Sequence, residues 1–230
     1  MSHSTPYSCF KENLLDLFAH PARIIIAGVT NSGKTHLATK IVVHYQKQFD
    51  CIIVCGSESH PLEKETSLSD KLIVNKDIID PINHKAKPND RILYILDDCF
   101  IEAANNDIVS NIFTKGRHEN ISVVLLVQNV FMKGKHSRNI SLNTSHFILL
   151  KQRDLGQLEC LGRQLYGKSE AKRFLELYKK VVLSKSRGYL LIDLGCETPD
   201  KLQFRSNILC EYFPHQLVYQ WWSPTEPCKF

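Results

Sequence analysis

Residues 28–35 constrain this chain more than any other segment, because they read GVTNSGKT and match the pattern G-x-x-x-x-G-K-[ST] in full. A short apolar run, RIIIA, comes before them. Apolar side chains at helical spacing come after them, at Leu37, Ala38, Ile41, Val42, Tyr45 and Phe49. A strand, a glycine-rich turn and a helix in this order surround a phosphate group with backbone N–H groups. The sequence therefore predicts a P-loop nucleotide-binding domain.

The pattern predicts how the residues of the loop bind the nucleotide. Gly28 and Gly33 permit the tight backbone of the turn. Lys34 is the expected catalytic cation that neutralises the β- and γ-phosphates, and the Thr35 hydroxyl is an expected ligand of Mg²⁺. ATP and Mg²⁺ are the predicted cofactors. The full set of predicted nucleotide-binding residues is Gly28, Val29, Thr30, Asn31, Ser32, Gly33, Lys34, Thr35 and His36.

Two adjacent carboxylates follow the apolar run ILYIL, at Asp97 and Asp98. A parallel strand opens toward the ligand at its carboxyl end, so both side chains are expected near the loop. We predict that Asp97 reaches Mg²⁺ through the water shell of the ion. Asp98 is predicted to orient or deprotonate the attacking water. The alternative for Asp98 is that it caps the next helix.

Apolar runs and helical stripes alternate along the chain. Strands are predicted at 23–28, 50–56, 92–98, 122–128, 146–151 and 188–195. Helices are predicted at 10–19, 34–49 and 101–115, from Asp154, and from a cap at Ser169, whereas residues 57–90 read as a polar, irregular insertion. Strands that are apolar on both faces and separated by helices indicate an α/β fold with a mainly parallel sheet flanked by helices.

The order of the motifs narrows the class of P-loop protein. The run CIIVCG lies between the loop and the acid strand, and with the second acid it indicates the additional-strand (ASCE) ATPases rather than nucleoside kinases or GTPases. Asn75-Lys76-Asp77 does not match the guanine-binding N-K-x-D, which disfavours GTP. We expect an N-terminal arm and helix at 1–20, the ATPase domain at 21–212 and an aromatic tail at 213–230.

Composition excludes several other classes. Hydrophobic residues make up 43% and charged residues 23%, as in ordinary globular domains, and the net charge of +5 permits a polyanionic partner. The eight cysteines form no C-x-x-C pair, which favours a reducing compartment over a disulfide scaffold or a zinc site. None of the ten histidines has a spacing suited to metal, and all are expected to be ordinary polar or surface residues. No signal peptide or membrane-length apolar run is visible, so we expect an intracellular protein that is not secreted and does not contact a membrane.

Four blocks carry a resemblance to a known family: HPARIIIAGVTNSGKT, ILYILDDCF, GRHENISVVLLVQNVF and RNISLNTSHFILLKQRD. In this order they resemble the genome-packaging ATPases of the FtsK-HerA type. The similarity points to the branch found in poxvirus-like giant viruses, virophages and Polinton/Maverick elements, and it covers residues 20–166. Asp98 departs from the wider superfamily, where glutamate is usual, and its shorter side chain would bring the water closer or reach it less well.

The resemblance implies further roles for three residues. Gln128, at the end of the strand 122–128, corresponds to a polar residue that senses the γ-phosphate, although it could simply be a satisfied strand end. Arg117 corresponds to an arginine that reaches the neighbouring subunit's nucleotide, with Arg153 as the rival candidate. Either arginine could instead form a surface salt bridge.

The segment FMKGKHSR at 131–138 is a basic loop in which Lys133, Lys135 and Arg138 are predicted to contact DNA phosphates without sequence preference. The alternatives are a solvated loop at 131–138 and a DNA path along 57–90, where Lys85 and Lys87 lie. Gly134 is expected to let the loop move.

These features together predict an ATP-hydrolysing motor that moves double-stranded DNA into a viral capsid. The resemblance implies a homo-oligomeric ring, a pentamer or a hexamer, that contacts capsid vertex or portal proteins. Its expected location is the cytoplasm or nucleus of the host at sites of virus assembly, or the virion. The alternatives are a DNA translocase or helicase, a small-molecule kinase, and a module that binds ATP without hydrolysing it.

Overall fold

A computed structural model of the chain describes residues 7–8, 19–56, 59–184, 186–209 and 216–219. The predicted helix at 10–19 lies outside this part of the chain apart from its last residue. Ten strands form one sheet in the described residues. They are β1 (Tyr7–Ser8), β2 (Arg23–Ala27), β3 (Cys51–Cys55), β4 (Leu72–Asn75), β5 (Ile92–Leu96), β6 (Ile121–Val127), β7 (His146–Leu149), β8 (Leu190–Asp193), β9 (Phe204–Ser206) and β10 (Leu217–Tyr219).

The strands lie in the order β1-β10-β9-β8-β7-β2-β6-β5-β3-β4. The six strands from β7 to β4 run parallel to their neighbours, so their carboxyl ends meet at one edge of the sheet. β8, β9, β10 and β1 are joined by antiparallel pairing. β6 lies between the loop strand β2 and the acid strand β5. This strand order confirms the predicted P-loop fold of the additional-strand type.

The sheet is buried on both faces because its strands are apolar at almost every position. Alternate side chains enter two separate cores, as the two-residue period of a strand requires. Ile25, for example, packs in one core and Ile24 in the other. The core around Ile25 is covered mainly by the helices that follow β5, whereas the core around Ile24 is covered by the helix that follows the P-loop.

Six α-helices are present in the described ranges. They are α1 (Lys34–Tyr45), α2 (Phe100–Ala103), α3 (Asp107–Lys115), α4 (Ser137–Leu142), α5 (Leu155–Tyr166) and α6 (Ala171–Tyr178). Short 3₁₀ helices occupy Gln46–Gln48, Pro61–Lys64, Thr66–Leu68, Pro81–His84, Gly116–Glu119 and Asp200–Leu202, and a π-helical turn occupies Lys179–Leu183. None of the helices described has the length and hydropathy needed to cross a membrane.

Two helix predictions need correction. The helix predicted at 101–115 is two helices, because the Asn106 side chain accepts hydrogen bonds from Ile108 N and Val109 N and starts a new helix there. The predicted cap at Ser169 is wrong, since α6 begins at Ala171 after Glu170 without a side-chain cap. The start predicted at Asp154 is right, because its carboxylate accepts hydrogen bonds from Gly156 N and Gln157 N.

The insertion at 57–90 is more regular than its polar sequence suggests. It contains β4, which pairs in parallel with β3 and forms one end of the sheet, and three of the 3₁₀ helices. The strand predicted at 188–195 is present as β8 but runs antiparallel to β7. β9 was not predicted, and β10 lies in the tail whose structure the sequence left unassigned.

Candidate nucleotide site

The P-loop backbone has the tight geometry that its glycines predict. Gly33 has a φ of 99° and immediately precedes α1, and Asn31 has a φ of 62°. A Cβ at Gly28 would lie only 2.4 Å from Ser32 Oγ and 2.9 Å from Leu150 Cβ, so a larger residue there would open the turn. The loop is tied to the sheet edge by Gly28 N, which donates to Val127 O, and by Val29 N, which donates to Lys151 O. The first N–H groups of α1 have no carbonyl of the same helix to bind, and helix starts of this kind bind phosphate.

Lys34 lies across this loop. Its Nζ donates hydrogen bonds to Gly28 O at 2.9 Å and Val29 O at 3.2 Å. Burial lowers the pKa of Lys34, and the charges of Asp97 and Asp98 raise it in opposition. The ammonium is thus held by neutral carbonyls at the place where a phosphate would give it an anionic partner. The buried Ser32 Oγ also has no hydrogen-bond partner in the described chain.

The Thr35 hydroxyl and Asp97 form the contact that links the loop to the acid strand. Thr35 Oγ1 donates to Asp97 Oδ2 at 2.7 Å, and Asp97 is almost fully buried. Burial raises the pKa of Asp97, but the neighbouring His60 and Thr35 side chains outweigh it and hold the pKa below its ordinary value. Asp97 is therefore an anion placed beside a hydroxyl, as the predicted role requires.

This pair of side chains suits Mg²⁺ in a nucleotide site. Mg²⁺ keeps several waters and takes one or two protein oxygens together with phosphate oxygens. The hydroxyl of Thr35 and the anionic Asp97 supply such oxygens beside the phosphate loop. The described chain contains no group of three or more His, Cys, Asp or Glu that could hold a metal without the nucleotide. The Thr35 hydroxyl and the Asp97 carboxylate thus fit an ion that also binds phosphate oxygens.

Asp98 is exposed at the same edge of the sheet, and its φ of 57° is unusual for a residue other than glycine. It does not cap the next helix, because α2 is preceded by Cys99 and has no side-chain cap. Its carboxylate acts on Lys34 through its charge. The position leaves Asp98 available for the predicted role in water activation.

Gln128 follows β6 directly and is exposed at the carboxyl edge. Because β6 lies between β2 and β5, Gln128 stands between the strand end that carries the P-loop and the strand end that carries Asp97. This is the place from which a side chain can approach the γ-phosphate. The sensing role of Gln128 stays a prediction.

The comparison with protein families agrees with this geometry. Residues 9–194 match the model of the family described as poxvirus A32 protein. The chain belongs to the poxvirus A32 family. The match confirms the resemblance to viral packaging ATPases of the FtsK-HerA type. No curated protein sequence matched this chain.

Solved structures give an independent likeness in fold. The genome packaging NTPase B204 from Sulfolobus turreted icosahedral virus 2, in complex with ATP-gammaS, is 16% identical with a TM-score of 0.58, over 77% of this chain and 95% of that one. B204 in complex with AMP is 15% identical with a TM-score of 0.58, over 82% of this chain and 98% of that one. B204 described as the DNA-packaging ATPase from Sulfolobus turreted icosahedral virus is 15% identical with a TM-score of 0.56, over 76% and 93%. At these identities the likeness concerns the fold.

Two arginines of this A32 family member lie at opposite edges of the sheet. Arg117 is exposed in the 3₁₀ helix before β6, at the amino edge, where burial and, to a smaller extent, the charge of Arg117 lower the pKa of Arg23. Since β6 has seven residues, Arg117 is about 23 Å from the P-loop of its own chain, measured along the strand. Arg153 is exposed beyond β7, at the carboxyl edge that carries the P-loop. Arg117 is therefore far from the P-loop of its own chain, and the roles of both arginines stay predictions.

The basic segment at 131–138 is exposed at Lys133, Lys135 and Arg138. It packs against the connection between α2 and α3. Lys135 Nζ lies 3.1 Å from Asp107 Oδ1, and a Cβ at Gly134 would lie 2.7 Å from Ala104 O. Gly134 therefore serves a close approach of two backbones rather than the movement we predicted, and Arg138 belongs to α4 rather than to the loop.

Two side chains that the sequence analysis did not assign to the site also lie near it. His60, from the insertion, lies 3.5 Å from Asp97 and is 3% exposed, so it is not the ordinary surface histidine that we expected. Arg187, just before β8, has its Cδ 4.0 Å from the point that a Cβ on Gly33 would occupy. The sequence contained a sign of a structural role for His60. This residue follows a strand and precedes the pattern P-x-E, which is typical of a helix start.

Proposed function

We propose that this chain binds ATP with Mg²⁺, hydrolyses it and uses the energy to move double-stranded DNA into a viral capsid. The observation that carries the proposal is the 2.7 Å contact between Thr35 Oγ1 and Asp97 Oδ2, which joins the phosphate loop to the acid strand across β6. Membership of the A32 family supports the link to viruses. The B204 structures, a genome packaging NTPase with ATP-gammaS among them, have the same fold.

Each side chain has one task in the proposed reaction. Lys34 leaves the carbonyls of Gly28 and Val29 and binds the phosphates, because an anion is a better partner for an ammonium than a carbonyl. Thr35 and Asp97 would hold Mg²⁺, which would supply positive charge to the phosphate oxygens. Asp98 orients the attacking water and accepts its proton, and Gln128 contacts the γ-phosphate.

The proposed partners follow from charge and from position. Lys133, Lys135 and Arg138 are cations on one exposed surface and would contact DNA phosphates of any sequence. Arg117 lies too far from its own loop to serve it, which favours a homo-oligomeric ring, a pentamer or a hexamer, in which it serves the next subunit. The family suggests sites of virus assembly, in the cytoplasm or nucleus of the host, as the location and capsid vertex or portal proteins as further partners.

The proposal is tested by the ATPase activity of the purified protein with and without long double-stranded DNA. We expect hydrolysis that DNA stimulates, and no hydrolysis by Lys34→Ala, because the phosphates lose their main side-chain partner. Near-normal turnover by Lys34→Ala would show that the loop assignment is wrong. Transfer of phosphate to an added small acceptor in place of water would instead support a kinase.

A further inference from the structure

His60 belongs to the insertion at 57–90 and lies next to Asp97, the residue that follows β5. Only 3% of its surface is exposed, and its Nε2 lies 3.5 Å from Asp97 Oδ2. That distance is longer than a good hydrogen bond, and Nε2 has no hydrogen-bond partner among the described residues. A buried ring nitrogen without a partner is costly, so its position calls for a reason.

The hydrogen bonds around the ring decide which nitrogen carries the proton. Leu62 N donates to His60 Nδ1 at 3.3 Å, while His60 N donates to Glu63 Oε1 at 2.6 Å, and together these bonds form the cap of the 3₁₀ helix Pro61–Lys64. Because Nδ1 accepts a hydrogen bond, the neutral ring carries its proton on Nε2. The N–H group at Nε2 is therefore the one directed at Asp97.

The backbone of Asp97 is held closely, whereas the orientation of its carboxylate depends on the donors around it. Asp97 N donates to Cys55 O at 3.0 Å, and a Cβ at Gly56 would lie 2.1 Å from Asp97 O, so the neighbouring strand end holds this backbone closely. The carboxylate receives the Thr35 hydroxyl at Oδ2, the oxygen that His60 also faces. Thr35 can keep this hydrogen bond while a lone pair of its oxygen would face the metal, and a second donor on Asp97 Oδ2 would fix the orientation of the carboxylate further.

We propose that His60 is the positioning residue of the magnesium site, donating from Nε2 to Asp97 Oδ2 beside the Thr35 hydroxyl so that the carboxylate stays aimed at the metal when Mg·ATP binds. The inference rests on the proposed function. It gives the insertion at 57–90 a task in the nucleotide site, because the segment that carries His60 must be packed on Asp97 for Mg²⁺ to bind well.

Two substitutions separate this task from simple packing. Asparagine at position 60 keeps an oxygen where Nδ1 accepts from Leu62 N and is a good cap, but its amide is too short to reach Asp97. Glutamine places an amide N–H near the position of Nε2 but is a poor cap. His60→Asn thus keeps the cap and loses the donor, and His60→Gln does the reverse. The exposed His84, in the same insertion, provides a neutral control as His84→Asn.

The measurement is the affinity for ATP-gammaS with and without Mg²⁺, together with the melting temperature of each variant. We expect His60→Asn to bind the nucleotide normally without Mg²⁺ but to lose about tenfold in the affinity that Mg²⁺ adds, since partners of metal ligands contribute about 10- to 100-fold to metal affinity. His60→Gln is expected to keep most of the Mg²⁺ effect although it melts at a lower temperature. A full Mg²⁺ effect in His60→Asn, or a loss that follows melting temperature across both variants, would overturn the proposal.

The same data keep this proposal separate from the proposed function. If Mg²⁺ fails to raise the affinity of the unmodified protein, or Lys34→Ala binds ATP-gammaS normally, the nucleotide site itself is wrong. If both of these controls behave as expected and His60→Asn responds fully to Mg²⁺, only the role of His60 is wrong.

Discussion

At the scale of single residues, the acid site depends on two unusual backbone conformations. Gly56, which approaches the backbone oxygen of Asp97, has a φ of 99°, and Asp98, the next residue in the chain, has a φ of 57°. Glycine adopts this conformation freely, but for Asp98 it costs on the order of 1 kcal/mol or more. Such strain persists where the surrounding structure holds it and commonly marks a functional position.

The conformation of Asp98 decides which substitution tests its role. Asparagine tolerates a positive φ nearly as well as aspartate, so Asp98→Asn removes the negative charge without adding strain. We expect this variant to bind Mg·ATP as before but to lose hydrolysis by roughly 10²- to 10⁴-fold, since only proton transfer and water orientation are lost. Turnover and ATP-gammaS affinity are measured on the same preparation. Normal turnover would assign the water to another side chain.

At the scale of elements, the surface proposed for DNA is anchored rather than loose. Lys135 N donates to Asn105 Oδ1, and the Lys135 ammonium pairs with Asp107. The carboxylate of Asp107 is fully exposed, and its pKa is lowered by Lys135 first and by His136 in addition. This pairing already offsets part of the charge of Lys135, so Lys133 and Arg138 should supply most of the attraction to DNA.

Replacing Lys133, Lys135 and Arg138 by alanine is expected to weaken DNA binding equally for all sequences. Each phosphate contact that is lost should reduce the slope of log affinity against log salt by about one unit. The measurement is binding of duplex DNA over a series of salt concentrations. Lys85→Ala with Lys87→Ala, in the insertion, serves as the matched comparison. A slope that changes with this pair and not with the triple variant would place the DNA path on the insertion.

The elements differ in how well the sequence predicts them. β2, β3, β5 and β6 are continuous apolar runs, and such runs indicate buried strands of a parallel sheet. β4 was missed because it is a half-buried strand at the end of the sheet and lies within polar sequence. The direction of β8 was not predicted because the spacing of apolar residues does not show whether a strand runs parallel or antiparallel to its neighbour.

The same limit applies within the site. The P-loop and Asp97 could be predicted because one motif and one strand end contain them. The contact between His60 and Asp97 could not be predicted, since the two side chains are far apart in the chain and meet only when residues 61–96 have folded between them. Arg187 is a similar case, because its approach to Gly33 depends on the antiparallel direction of β8.

At the scale of the whole molecule, the two edges of the sheet carry different parts of the machinery. The P-loop, Asp97, Asp98 and Gln128 lie at the carboxyl edge, and Arg117 lies at the amino edge. A single copy of the chain therefore cannot bring Arg117 to its own nucleotide. Copies that contact each other head to tail could do so, and repeated contacts of this kind close into a ring.

Arg117→Ala is expected to keep ATP binding and to lose hydrolysis by roughly 10³- to 10⁵-fold, as for other arginines that act in trans. The defect should be rescued by mixing with Asp98→Asn, because that variant supplies an intact Arg117 to the intact loop of its neighbour. ATPase activity of the two variants alone and mixed is the measurement. If the variants assemble together and mixing restores nothing, Arg117 does not act in trans, and Arg153 becomes the residue to test in the same way.

The central position of β6 sets a limit on how such a machine can move. β6 is hydrogen-bonded in register to β2 on one side and to β5 on the other. Sliding it by one residue would break both ladders and turn its buried side chains to the wrong faces. The distance between Arg117, before β6, and Gln128, directly after it, should consequently stay constant. Any movement that drives DNA has to occur in the connections before and after β6. The sheet is therefore the rigid part of the proposed motor, and the segments around it are its moving parts.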